Sequence, residues 1–136
     1  MNTYIIAYIA TVIVFFAIDF IWLGFVAKDF YQDQMGSLMK EQFNMPVAAG
    51  FYLLYVIGIV YFAVMPAFND GTWTLALING ALFGFLAYAT YDLTNLAVLR
   101  NWPVTVTIVD MAWGTFITAA SATGGFFITQ AIAKMN

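Results

Sequence analysis

Four long apolar stretches alternate with polar breaks along the chain, at residues 3–27, 46–68, 73–99 and 104–133, with a longer polar segment at 28–45. About 20 apolar residues span the hydrocarbon core of a bilayer, so each stretch predicts a transmembrane helix. The expected fold class is all-α: a polytopic integral membrane protein whose residues 1–136 form one membrane domain, a four-helix bundle. The first stretch has no Lys or Arg before its apolar run, outlasts a signal-peptide core and contains Asp19, which marks it as a retained span.

The breaks carry their own signals. Residues 28–45 hold Asp29, Asp33 and Glu41, while Met35, Leu38, Met39 and Phe43 recur at helical spacing, which predicts an amphipathic helix lying in the interface. Such a connector either simply joins two spans or gates a site beneath it, and the plain connector is the simpler reading. Pro46 suits a helix start and Pro66 the end of the second span. Asn69-Asp70-Gly71 is a tight turn, and Arg100-Asn101-Trp102-Pro103 is another, with Trp102 and Trp73 as interfacial anchors.

Two patterns of small residues predict where helices meet. Gly80 and Gly84 lie one turn apart and let another backbone approach, and Gly114, Thr118, Ser121 and Gly125 make a stripe that reads as a packing seam. Thr hydroxyls in such a helix can bond their own backbone, so they are weak functional signals.

Polar residues inside the apolar stretches are the exception that needs explaining. The run Tyr91-Asp92-Leu93-Thr94-Asn95 sits within the third span, Asp19 within the first and Asp110 within the fourth. Each acid lies about seven residues from the same end of the bundle, which at about 1.5 Å rise per residue puts all three roughly 10 Å below one surface. Tyr52 and Tyr55 of the second span fall at a similar level. The ligand-binding residues expected from this layer are Asp19, Trp22, Tyr52, Tyr55, Tyr88, Tyr91, Asp92, Asn95, Asp110 and Trp113. Asp19-x-x-Trp22-Leu23-Gly24 is echoed by Asp110-x-x-Trp113-Gly114, a match too short to establish a repeat.

Composition narrows the chemistry. Of the residues, 64% are hydrophobic and only 8% charged, far from the roughly 25% charged residues of a soluble domain. Cys and His are absent, which removes thiol nucleophiles, disulfides and nearly every zinc, copper or haem site, so no cofactor and no metal are expected. The net charge of −3 without a basic cluster argues against nucleic acid. Lys28, Lys40 and Arg100 lie on the side of the acids, against Lys134 and the terminal amine, so the positive-inside rule places the acid layer toward the cytoplasm and both termini in the periplasm.

On the motifs Asp19-x-x-Trp22-Leu23, Tyr91-Asp92-Leu93-Thr94-Asn95-Leu96-Ala97, Trp102 and Asp110-x-x-Trp113-Gly114, the chain resembles a family of small bacterial inner-membrane proteins catalogued only as a domain of unknown function. The resemblance implies a four-helix protein of the bacterial inner membrane, members of which occur beside genes for fatty-acyl modification. It carries no catalytic assignment. A more distant similarity is to lipoprotein signal peptidase, which works with two intramembrane aspartates on its last two helices. Asp92 and Asp110 are similarly distributed, but the flanking residues do not reproduce that enzyme's motifs, so the likeness is geometrical.

Three functions remain open. Asp19, Asp92 and Asp110 can form a protonatable site that binds or translocates a small molecule, a cation or a lipid headgroup; nearby carboxyls cannot all stay ionised, and four helices are few for a pathway, so transport calls for a homodimer. Alternatively Asp92, Asp110 and Asp19 are catalytic candidates in an intramembrane enzyme acting on a lipid, as general acid and base or by holding Mg²⁺ on Asp92, Asn95 and Asp110. The third reading is an accessory subunit of lipid modification in which the acids only tie helices together. Membrane lipids are partners in all three.

Overall fold

The structure is a computed structural model describing residues 2–36 and 45–135, and among these every regular element is helical. Helix α1, Thr3–Ile21, starts where the Asn2 side chain accepts from the Tyr4 backbone N–H at 2.7 Å, and a wider π-helical turn, Trp22–Val26, carries it on. Helix α2, Lys28–Met35, follows. The rest of the expected interfacial helix, including Leu38, Met39 and Phe43, lies outside the described residues.

The second span combines α3, Met45–Ile59, a π-helical turn Val60–Val64, and α4, Met65–Asp70. Pro66 lies near the end of this span, four residues before it stops at Asp70. It sits in the first turn of α4, where the preceding wide turn has already broken the regular ladder, so its missing N–H removes little and the helix runs on to Asp70. Gly71 then closes the turn at φ 78°, a left-handed conformation that glycine adopts without strain, and Thr72 Oγ1 donates to Asp70 Oδ2 at 2.8 Å. Helix α5 is Trp73–Val98 and α6 is Val104–Met135.

All four spans are long and apolar enough to cross a membrane. Mean hydropathy is 2.4 and 2.2 in the first two and drops to 1.4 and 1.3 in the last two, because α5 and α6 carry much of the polar layer and the small-residue seam. Large apolar side chains such as Ile9, Leu54, Ile78, Leu82 and Phe116 point outward. In a bilayer that exposure costs nothing, since hydrocarbon is as apolar as the side chains themselves.

The core is organised around α6, whose main neighbours are α5 and α1. A Cβ at Gly80 would stand 2.9 Å from Ala122 Cβ and 3.0 Å from Ala119 Cα, and one at Gly84 would strike the Gly114 carbonyl and Thr118. Gly114 lies beneath the Tyr88 ring and Gly125 against Thr11 of α1. The predicted seam therefore joins α6 to two helices at once. Hydroxyls of Thr115, Thr123 and Thr129 bond carbonyls one turn back on their own helix, as such residues do in apolar surroundings.

Candidate functional site

Toward the end of the bundle where α1 passes into α2 and α5 turns into α6, the close packing gives way to a cavity of about 660 Å³. Four spans and α2 all contribute to its wall. Asp19 of α1, Asp92 of α5 and Asp110 of α6 line it together, so residues 91 positions apart in sequence share one space. The helical offset of three in each Asp-x-x-Trp segment puts Trp22 and Trp113 on the same walls as their acids. The two indoles meet across the helix interface, stacked with centroids 4.2 Å apart and planes 12° from parallel.

Helix α2 enters this arrangement through Tyr31. Its hydroxyl donates to Asp110 Oδ1 at 2.8 Å and accepts from Trp22 Nε1 at 3.3 Å. Burial, then the neighbouring Asp110 carboxylate, pushes the Tyr31 phenol above its ordinary value, so it stays a proton donor at every physiological pH. The connector thus closes a hydrogen-bonded bridge from α1 to α6, a stronger role than that of a plain link.

Asp92 is the opposite case. It is 0% exposed, its carboxyl is paired with that of Asp110 across the interface, and among the described residues no hydroxyl, amide or indole donates to either of its oxygens. Asp19, also buried, lies beside the Trp113 indole, whose Nε1 is buried without a partner of good geometry. Asp110 is half-buried and is the carboxyl held by Tyr31.

Aromatic faces make up most of the remaining wall. Tyr55 stacks on Phe83 at 5.2 Å and its hydroxyl pairs with Thr118 Oγ1 at 2.9 Å. Tyr52 packs against Phe15 of α1, and Tyr88 lies edge-on to Tyr55. Trp102 is not the exposed anchor its turn position suggests: it is buried, its Nε1 donates to Thr107 Oγ1 at 3.1 Å, and it lines the cavity edge-on to Tyr91. The indole N–H finds an acceptor only in the first turn of α6, and that pulls the ring inward. Trp73 does remain half exposed at its helix start.

Of the residues expected from the sequence, Asp19, Trp22, Tyr52, Tyr55, Tyr88, Tyr91, Asp92, Asp110 and Trp113 border the cavity. Asn95 does not; it stands one helical turn beyond, next to Tyr91, so the oxygens of Asp92, Asn95 and Asp110 do not converge on a common point within it. Sequence reasoning missed Tyr31, Met35, Phe51 and Phe83. A signal existed for the first: Tyr31 precedes Met35 by four residues and so extends the apolar face of the connector. No described residue of the lining is Lys or Arg.

No curated protein and no solved structure matches the chain. Residues 4–127 match the model of a family described as predicted membrane protein, domain of unknown function 2177, and with nearly its whole length covered the chain belongs to that family.

Proposed function

We propose that the cavity is a ligand-binding site whose carboxyls exchange protons with what it binds, for the binding or proton-coupled movement of a small molecule, cation or lipid headgroup. The observation that carries this reading is the buried carboxyl of Asp92, which meets another acid, Asp110, and no hydroxyl or N–H donor among the described residues. An acid retained only to tie helices together would hold a partner, because an unsatisfied buried polar group costs about 1–3 kcal/mol. Thr118 and Tyr55, a few residues away, show how readily such partners form in this bundle. Two adjacent carboxyls repel one another when both carry charge, and a proton held between them removes that repulsion. An arriving positive charge can take that proton's place.

Leu23, Phe51 and Tyr91 border the cavity and are also exposed on the outer surface, which gives a ligand a route from the apolar phase. In the transport version two copies of the chain complete the pathway, in a bacterial inner membrane with the cavity toward the cytoplasm.

The test is carbodiimide labelling. Dicyclohexylcarbodiimide partitions into bilayers and adds only to a protonated carboxyl, which ends as an N-acylurea that mass spectrometry can map. Labelling at Asp110 or Asp19 in membrane vesicles, rising as pH falls and altered by Asp92→Asn, is the expected result. Protein that stays folded yet is labelled at neither position across the pH range would rule the reading out.

A further inference from the structure

Resting on that reading, the geometry points to an organic cation as the ligand: a phosphate-free amine or onium group carried on an apolar body. The charge argument comes first. Three carboxyls border the cavity and none of its described lining residues is basic, so among the described residues an anion meets like charge and no cationic group to receive it. A zwitterionic phospholipid headgroup meets the same obstacle, since its phosphate must follow its ammonium into the same acids. Asp92 adds an independent sign, for it is a completely buried carboxyl whose one side-chain partner is another acid, with no counter-charge beside it among the described residues.

The wall decides between an organic cation and a bare metal ion. A metal ion asks for several oxygen ligands converging at short range. What surrounds the acids is instead ring faces: the Trp22–Trp113 stack, Tyr88, and the Tyr55–Phe83 pair. Aromatic faces attract a weakly hydrated cation through their quadrupoles and shed water from its apolar substituents. The volume of about 660 Å³ also exceeds the needs of an ion and lies within the roughly 300–1,000 Å³ range of small-molecule pockets. In this arrangement all three acids border the space that the bound charge enters.

The experiment compares two probes of matched shape and opposite charge, tetraphenylphosphonium and tetraphenylborate, titrated calorimetrically into the full chain in lipid nanodiscs. Saturable phosphonium binding is expected, with none for the borate. Asp110→Asn keeps an oxygen for the Tyr31 hydroxyl and should weaken phosphonium binding by at least about ten-fold, a loss of about 1.4 kcal/mol. Phe83→Leu, which removes one ring of the wall and no hydrogen bond to an acid, should weaken it in the same direction. Circular dichroism and gel filtration of each variant establish that it is folded. Borate binding as tight as phosphonium, or phosphonium binding unchanged in both variants, overturns the assignment. No phosphonium binding by protein whose Asp110 is labelled by carbodiimide overturns the cation class while leaving the protonatable cavity standing; absence of both sinks the two together.

Discussion

The two ends of the α5–α6 pair follow opposite rules. Around Gly80, Gly84 and Ala122 the backbones approach so closely that a single added methyl has nowhere to go. Two turns away the same helices carry Tyr88, Asp92 and Asp110, which border a cavity walled by large rings and acids. Gly114 links the two regimes, since its missing side chain is the space in which the Tyr88 ring lies. At the closed end small residues make the contact, and at the other end bulky ones border the open space. Close packing and cavity therefore occupy different levels of one interface, and substitutions at the two levels should behave differently.

The largest effect is expected at the closed end. Gly84→Leu would drive a side chain into the Gly114 carbonyl and Thr118, and overpacking of this kind costs about 1–3 kcal/mol or more. Thermal unfolding in detergent should show a large loss of stability; an unchanged midpoint would mean the two helices do not meet at this seam. Asp92→Leu should do the reverse. Removing a buried carboxyl whose one side-chain partner is another acid is expected to raise stability by about 1–2 kcal/mol, while carbodiimide labelling at Asp110 changes. A clear loss of stability there would return Asp92 to a structural role.

Tyr31→Phe is the smallest change. It removes the hydrogen bond to Asp110, worth about 1 kcal/mol, and should loosen α2 with little effect on the four spans. Faster hydrogen exchange confined to residues 28–35 would show it. The wild-type bridge has a pH limit of known sign. Because the phenol's value is raised in the fold above its ordinary 10.0, the contribution of Tyr31 is complete below about pH 10 and declines as pH climbs beyond that. Release of α2 on acidification instead of alkalinisation would contradict this assignment.

Spans, turns and seam were legible in the sequence because each depends on local rules: length for the spans, Gly71 for a left-handed turn, small residues for close approach. The common depth of Asp19, Asp92 and Asp110 was legible too, since helical rise converts position into height. What the sequence did not show is lateral contact. Tyr31 lies 79 residues from Asp110, and nothing in the local pattern of α2 specifies which helix its hydroxyl will meet. Trp102 was misread for the same reason: its position in a turn predicts the interface, but the Thr107 hydroxyl one turn on drew it inside. Pro66 does lie near the end of its span, but the π-helical turn ahead of it leaves no mark in residue type.

The stacked indoles of Trp22 and Trp113 have an optical consequence. Rings 4.2 Å apart and nearly parallel cannot be excited independently, so their absorption and emission belong to the pair. Trp102 borders the same cavity, leaving Trp73 as the chain's one tryptophan away from it. Near-ultraviolet dichroism and fluorescence of the unmodified protein are thus dominated by the cavity wall, and anything that pushes between the two rings announces itself as a change of colour and intensity with no dye attached.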